Sequence, residues 1–178
     1  MMLLLETPRL RLRPFAPDDV ARVQELAGDA RVADTTLNLS LPYPDGAAEG
    51  WIETHAELAE QGTHYVWAIS DKVSGELTES ISMSVVQKHS RGTLGYWLGV
   101  PFWNKGFMTE ATGAVMDWGF DTLNLHRIEA ACYTRNPGSY RVMEKCGMRC
   151  EGLFRDHYRK NDRFEDLYQY AILRTDRK

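Results

Sequence analysis

Two short stretches carry residue types and spacings that chemistry can use. The first is Val100-Pro101-Phe102-Trp103-Asn104-Lys105-Gly106-Phe107-Met108-Thr109-Glu110. Here a strand ends, a loop follows and a long helix begins. The first N–H groups of a helix have no partner within it, and the helix dipole adds partial positive charge at the same end. Together they form an anion site. Gly106 has no side chain to hold a phosphate off the backbone, and Lys105 adds a charge. A plain helix start with one glycine would read the same way, so this fragment alone leaves both readings open. The second stretch is Arg135-Asn136-Pro137-Gly138-Ser139. Asn136 suits an N-cap and Pro137 a first helical position. A capped helix accounts for both. It leaves Ser139 one turn in, beside a strand end, where a hydroxyl could donate a proton to a departing thiolate.

The elements that position these stretches follow from hydrophobic period and turn chemistry. Arg9 to Phe15 alternates with period two and predicts a half-buried strand. Pro17-Asp18-Asp19 opens a helix to about Ala27, with acids where the dipole favours them. Residues 28–45 read as turn-rich. A second helix is expected from about Ala47 to Gln61, closed by Gly62. His64 to Ser70, Leu77 to Gln87 and Thr93 to Gly99 read as an antiparallel meander. Gly106 to Leu123 is a strong helix, with Phe107, Ala111, Ala114, Val115 and Trp118 on one face. Arg127 to Tyr133 is a strand, and Pro137 to Cys146 a short helix closed by Gly147. Met148 to about Tyr158 and Phe164 to Leu173 are strands joined by the polar turn Lys160-Asn161-Asp162. Residues 94–133 form a strand–helix–strand unit, the one place where a parallel crossover is expected. The outcome is one α+β domain.

Composition narrows the function classes. The chain has 178 residues, 43% hydrophobic and 26% charged, which suits one soluble globular domain. Its formal net charge of −4 argues against nucleic acid as a partner. Residues 1–120 carry 9 Lys/Arg against 16 Asp/Glu, whereas residues 121–178 carry 12 against 9. The basic excess therefore lies in the last third, where an anionic ligand could use it. Cys132, Cys146 and Cys150 form no disulfide framework, and no His stands near them in metal-ligand spacing, so no metal is expected. Met1 to Leu5 is too short for a signal sequence, and no run approaches the roughly 18 apolar residues of a membrane span. The expected location is the cytoplasm, with no membrane partner. There is no Gly-x-x-x-x-Gly-Lys-Ser/Thr run and no dinucleotide fingerprint, which disfavours a nucleotide binder.

Taken together, the order of elements and the motifs resemble the GCN5-related N-acetyltransferase (GNAT) family, in particular its ribosomal-protein N-terminal acetyltransferase-like branch. Thr7 to Arg13 resembles that branch's first strand, and Trp103 to Ala111 its acetyl-CoA loop. Asn136 to Ser139, Met143 to Met148 and Glu151-Gly152 resemble its second signature, and Asp166 to Ile172 its last strand. The match spans residues 7–174, read as a single domain. The resemblance implies a mixed, mostly antiparallel sheet of about six to seven strands with about four helices, and central parallel strands splayed into a slot for CoA. It implies that Leu98, Gly99 and Val100 line the pantetheine arm. Backbone groups of Trp103, Asn104, Lys105, Gly106, Phe107, Met108 and Thr109 would hold the pyrophosphate. Asn136 would contact the cofactor arm, and Ser139 would protonate the sulfur. The cosubstrate would be acetyl-CoA, and the acceptor a protein N-terminal amine or a small amine attacking directly. A homodimer is compatible with the branch. A CoA-binding sensor that has lost catalysis is the rival reading.

Two positions depart from the pattern. Met108 stands where the family commonly has Gly or Ala and is bulkier. Tyr158 stands where the branch's defining ribosomal-protein acetylase has a Glu, and a phenol is a poor base near neutral pH. Tyr158 is therefore the one candidate at the base position, without the usual chemistry. Glu49, Glu53, Glu57 and Glu60 read as a solvated helix face. That helix borders the acceptor in the family, so its acidity would favour a cationic amine.

Overall fold

Leu10 and Leu12 are fully buried while Arg11 between them is exposed, as period-two alternation requires of a strand with one face on a core. This strand belongs to a single eight-stranded sheet in a computed structural model that describes residues 4–177. The strands are β1 (Leu5–Glu6), β2 (Leu10–Arg13), β3 (His64–Asp71), β4 (Leu77–Val86), β5 (Arg91–Leu98), β6 (Arg127–Tyr133), β7 (Arg149–Lys160) and β8 (Arg163–Leu173). Their spatial order is β1-β2-β3-β4-β5-β6-β8-β7. The helices are α1 (Val20–Ala27), α2 (Ala30–Thr35), α3 (Ala47–Glu60), α4 (Phe107–Asp121) and α5 (Pro137–Lys145). The expected α+β architecture is present, with eight strands rather than six or seven and five helices rather than four. The additions are a two-residue strand and a six-residue helix, α2, inside the turn-rich stretch. Both are too short to leave a periodic signal. Among the described residues no helix is long and apolar enough to cross a membrane.

Two cores flank the sheet. On one face α4 and α5 cover Leu12, Ile69, Ile81, Met83, Leu94 and Ile128 with Phe107, Val115, Phe120 and Met143. At Gly119 an added methyl would lie 2.9 Å from Met83, so glycine lets α4 approach the sheet closely. On the other face α1 and α3 place Val23, Ala27 and Ala48 against Ala68 and Leu77. This second layer covers only part of the sheet, since Ser84, Gly95 and Ala131 on the same face remain exposed.

All neighbouring strands run antiparallel except β5 and β6. That parallel pair is short. It joins Arg91–Leu94 to Arg127–Ala130 and then stops. Beyond it, β5 stays paired with β4 as far as Leu98, and β6 stays paired with β8 as far as Tyr133. Residues 95–98 and 131–133 therefore face each other across a gap, the splay that the resemblance implied.

A bulge in β4 has a further consequence. Ile69 opposes Glu79 while Ser70 opposes Leu77, leaving Thr78 extra. Leu77 thus packs with the α1–α3 core, while Glu79 stays in phase with Ile81 and Met83 and points to the α4 face. Glu79 is fully buried, and neither carboxylate oxygen has a hydrogen-bond donor among the described residues. Burial, reinforced by Glu110 and partly offset by Arg9, pushes its pKa up from 4.5 to about 8. The folded protein thus keeps a proton that the unfolded chain releases, and stability falls as pH rises from about 4.5 to about 8. Glu79→Gln removes that loss. Its advantage over wild type in urea unfolding is expected to grow across this pH range and level off above it. A difference that does not vary with pH contradicts the assignment.

Candidate active site

The loop between β5 and α4 is shaped by two left-handed residues, Asn104 (φ 62°) and Gly106 (φ 77°). They turn the chain so that a row of amides faces outward. The N–H groups of residues 104–109 bond to no acceptor among the described residues, and the first helical bond comes from Glu110 N–H to the Gly106 carbonyl. Two neighbouring amides are already committed: Gly99 N–H donates to the Thr78 carbonyl and Trp103 N–H to the Val100 carbonyl. Met108, the bulky departure from the family pattern, is only 4% exposed and sits in the core under α4. Its side chain leaves the loop mouth clear and its amide remains on offer. Lys105 places its ammonium 5.2 Å from the Phe102 ring.

The start of α4 is tied to the turn between β1 and β2. Glu110 accepts from Thr7 Oγ1 (2.5 Å), from Arg9 N–H (2.9 Å) and from Arg9 Nε (2.6 Å). Burial alone would raise the Glu110 pKa, but these donors hold it below the usual carboxylate value. Arg9 continues to the Lys105 carbonyl at 2.9 Å and stacks over Phe107 at 4.8 Å. A methyl on Gly106 would lie 3.5 Å from the same guanidinium. As an acid in the first turn of α4, Glu110 suits the helix dipole. In the fold it also fixes where the amide row sits.

The gap between β5 and β6 has two faces. Pairing of Tyr96 with Ile81 and of Leu98 with Glu79 places both on the α4–α5 side. Cys132 also faces that side, where burial pushes its thiol up to about 11. The Leu98 carbonyl and the Gly99 N–H share one peptide and point opposite ways, so the carbonyl faces the gap. It is held there by the Trp103 indole Nε1 at 2.7 Å. At the head of α5, Asn136 caps the helix by accepting from Ser139 N–H at 3.2 Å. The Ser139 hydroxyl lies 2.9 Å from the Tyr96 phenol, which reaches it from β5. The structure thus brings Leu98, Trp103, Asn104, Gly106, Asn136 and Ser139 around one gap. Tyr96 joins them unanticipated, although the alternation along β5 places it on the same face as Leu98.

On the opposite face lie Trp97, Tyr133 and Tyr158. A bulge between Phe154 and Tyr158 sets three β7 residues against Asp166 alone, with Asp156 in the left-handed region. It leaves Phe154 and Tyr158 exposed on this face, Tyr158 with its ring 4.7 Å from His157. Tyr133 ends β6, and its hydroxyl is enclosed without a partner among the described residues. Burial, with Glu165 adding to it, raises its pKa. Arg135 covers the Tyr133 ring at 5.0 Å while binding Glu165 (3.0 Å) and Asp34 (2.7 Å). Lys160 donates to the carbonyls of Thr36 and Leu39, fastening the loop that follows α2. Glu129 is paired with Arg127 at 3.0 Å. Asp34, Glu165 and Glu129 are thus each ion-paired, and none stands ready as a base. Glu49, Glu53, Glu57 and Glu60 are all exposed, on the side of α3 away from its buried residue Ala48.

With this geometry in place, comparison with known proteins fixes the class. The family described as Acetyltransferase (GNAT) domain matches residues 9–149. The chain is 30% identical to the uncharacterized N-acetyltransferase p20 of Bacillus licheniformis over 97% of each chain. The chain belongs to the GNAT acetyltransferase family. Its fold is shared with ribosomal-protein-S5-alanine acetyltransferase from Vibrio fischeri (TM-score 0.85, 24% identity, 99% of each chain). It is shared equally with RimL, a ribosomal L7/L12 α-N-protein acetyltransferase in complex with coenzyme A (TM-score 0.88, 18% identity, 96% and 98% covered).

The Glu110 tether yields a direct test. Glu110→Ala removes three donors' shared acceptor and frees Arg9. It is expected to lower unfolding stability by about 1–2 kcal/mol, allowing for the partial exposure of Arg9. An unchanged urea midpoint contradicts the tether.

Proposed function

We propose that this acetyltransferase moves the acetyl group of acetyl-CoA to a primary amine by direct attack, without a covalent enzyme intermediate. The observation that carries this is the open gap between β5 and β6 with unbonded amides at its mouth. Amides 104–109 suit a pyrophosphate, since their donors are fixed and the α4 dipole adds to them. The gap suits the pantetheine arm, whose amides would take the strand groups of β5 that β6 leaves unpaired. Leu98 N–H, on the same side as its carbonyl, is placed to donate to the oxyanion of the tetrahedral intermediate. Val100 and Gly99 shape the turn beneath the arm, and Asn136, Ser139 and Thr109 border it. The coenzyme A complex of the fold neighbour supports the same assignment.

The acceptor enters from the face of Trp97, Tyr133 and Tyr158. The carboxylates named there are already paired with arginines, and the α3 acids face solvent, so a polycation gains little. Exposed Phe154 and Tyr158 on β7, across β8 from β6, instead offer apolar surface on the same face. A protein N-terminal amine fits this surface better than a polyamine, with a small monoamine as the other candidate. The amine nitrogen attacks the thioester carbon, the C–S bond breaks, and the surplus ammonium proton passes to water. The free thiols of Cys132, Cys146 and Cys150 suit work in the reducing cytoplasm.

Thiol release from acetyl-CoA with a panel of peptides, monoamines and polyamines tests the proposal. Turnover is expected with peptides above polyamines, and coenzyme binding without turnover on any acceptor contradicts it. Because Asp34, Glu129 and Glu165 are held by arginines, the rate is expected to follow the free-amine fraction of the acceptor itself. kcat/KM for a peptide α-amine should level off near pH ~8, and for an alkyl amine continue towards pH ~10. A shared plateau for both would instead reveal an enzymic base. Gly106→Ala forces a side chain into a left-handed position at a cost of about 1–2 kcal/mol. It is expected to weaken acetyl-CoA binding on the order of tenfold. Unaltered affinity would place the pyrophosphate elsewhere.

A further inference from the structure

We infer that Tyr96 and Ser139 form a two-hydroxyl donor chain for the departing thiolate of the cosubstrate, with Tyr96 as the positioning residue that aims the Ser139 hydroxyl. This rests on the acyl-transfer reading above and changes what Ser139 does within it.

Tyr96 lies on the unpaired part of β5 and spans the gap to the first turn of α5. Its phenol oxygen is 2.9 Å from Ser139 Oγ and 3.2 Å from the Ser139 carbonyl. Two arrangements of hydrogens fit the same heavy atoms. In one, the phenol donates to the carbonyl and the Ser139 hydroxyl donates to the phenol, so both hydrogens are used inside the pair. In the other, the phenol donates to Ser139 Oγ and the Ser139 hydrogen is free to point into the gap. Exchange needs only rotation about the two C–O bonds. An anionic sulfur in the gap favours the second arrangement, because a donor to a charged acceptor is stronger than one to a neutral acceptor.

Ser139 does not give up its proton. An alcohol is a far weaker acid than a thiol, so net transfer from serine to a thiolate is uphill. Nor can Tyr96 supply one, since burial holds its phenol well above its ordinary value of 10.0. Both hydroxyls therefore remain protonated and act as donors. In the collapse of the tetrahedral intermediate, the C–S electron pair passes to sulfur, and the thiolate leaves against the Ser139 O–H. The ammonium proton of the new amide goes to water, and the thiolate is protonated from solvent on release. Cys132, beside Ser139, is a neutral thiol at the same pH and does not compete as an anion.

The test compares wild type, Tyr96→Phe, Ser139→Ala, Ser139→Thr and the Phe/Ala double variant in thiol release, with acetyl-CoA affinity measured separately. Tyr96→Phe is expected to lower kcat on the order of tenfold while leaving affinity within about twofold. Ser139→Ala should lower kcat at least as much, and the double variant should be no slower than Ser139→Ala. An unchanged kcat in Tyr96→Phe overturns the inference, as do single losses that multiply in the double variant. If Tyr96→Phe does not fold, Ser139→Thr decides, because it keeps a hydroxyl on the same turn. Recovery above Ser139→Ala supports the chain, and no recovery overturns it. A wild type that binds acetyl-CoA yet releases no thiol overturns the acyl-transfer reading itself. A wild type that turns over no faster than Tyr96→Phe overturns this inference alone.

Discussion

The parallel pairing of β5 and β6 ends at Leu94 and Ala130, and most of the site depends on that ending. Backbone N–H and C=O groups must find partners. In the middle of a sheet, where each strand is already held by its outer neighbour, the groups past Leu94 can be satisfied only by something that enters the gap. One of them, the Leu98 carbonyl, is held by the Trp103 indole from the adjoining loop. The rest present an extended polar edge of the kind a chain of amides can join. The gap does not close, because each strand remains locked to its own partner: β5 to β4 through Leu98, and β6 to β8 through Tyr133.

The remaining elements keep this opening at a fixed shape. α4 packs closely on the sheet at Gly119, near its C-terminal end, so its N-terminus needs a tether of its own. Glu110 then ties that end to Thr7 and Arg9 across the molecule. The amide row at residues 104–109 is thus pre-set rather than gathered by a ligand, which spares the ordering cost on binding. Across the gap, α5 is fixed by its Asn136 cap and bridged to β5 through Tyr96. On the other face, Arg135 ties α2 to β8, and Lys160 on β7 holds the segment after α2. One side of the sheet thus presents unbonded amides, while the other is polar but largely self-neutralised.

Much of this was legible in the residues. The strand–helix–strand unit, the cap at Asn136 and the hairpin at Lys160-Asn161-Asp162 follow from local rules, and the helix α4 follows from its apolar face. What local rules miss is direction. Met108 looks obstructive as a letter in a loop motif, yet it is the second helical residue and its side chain turns into the core. Glu79 lies in phase with Ile81 and Met83, so the strand alternation itself carries an acid to the buried face, while the bulge at Thr78 turns Leu77 away. Glu110 caps a helix by sequence and joins two ends of the chain by contact. Tyr96 and Ser139 lie 43 residues apart and meet only because β5 and α5 flank one opening. The base position shows the opposite case. Replacement of a Glu by Tyr158 was visible in sequence, and the nearby carboxylates Asp34, Glu129 and Glu165 are each taken up by an arginine.

The proposed reaction requires the cosubstrate arm to occupy the gap between β5 and β6 with its pyrophosphate on the head of α4. Amide hydrogen exchange with and without acetyl-CoA, resolved by residue, tests this most directly. Protection should rise at residues 104–109 and along the unpaired stretch 95–98, and little along β1 and β2. Saturated binding that leaves both stretches exchanging as in the free protein would contradict it.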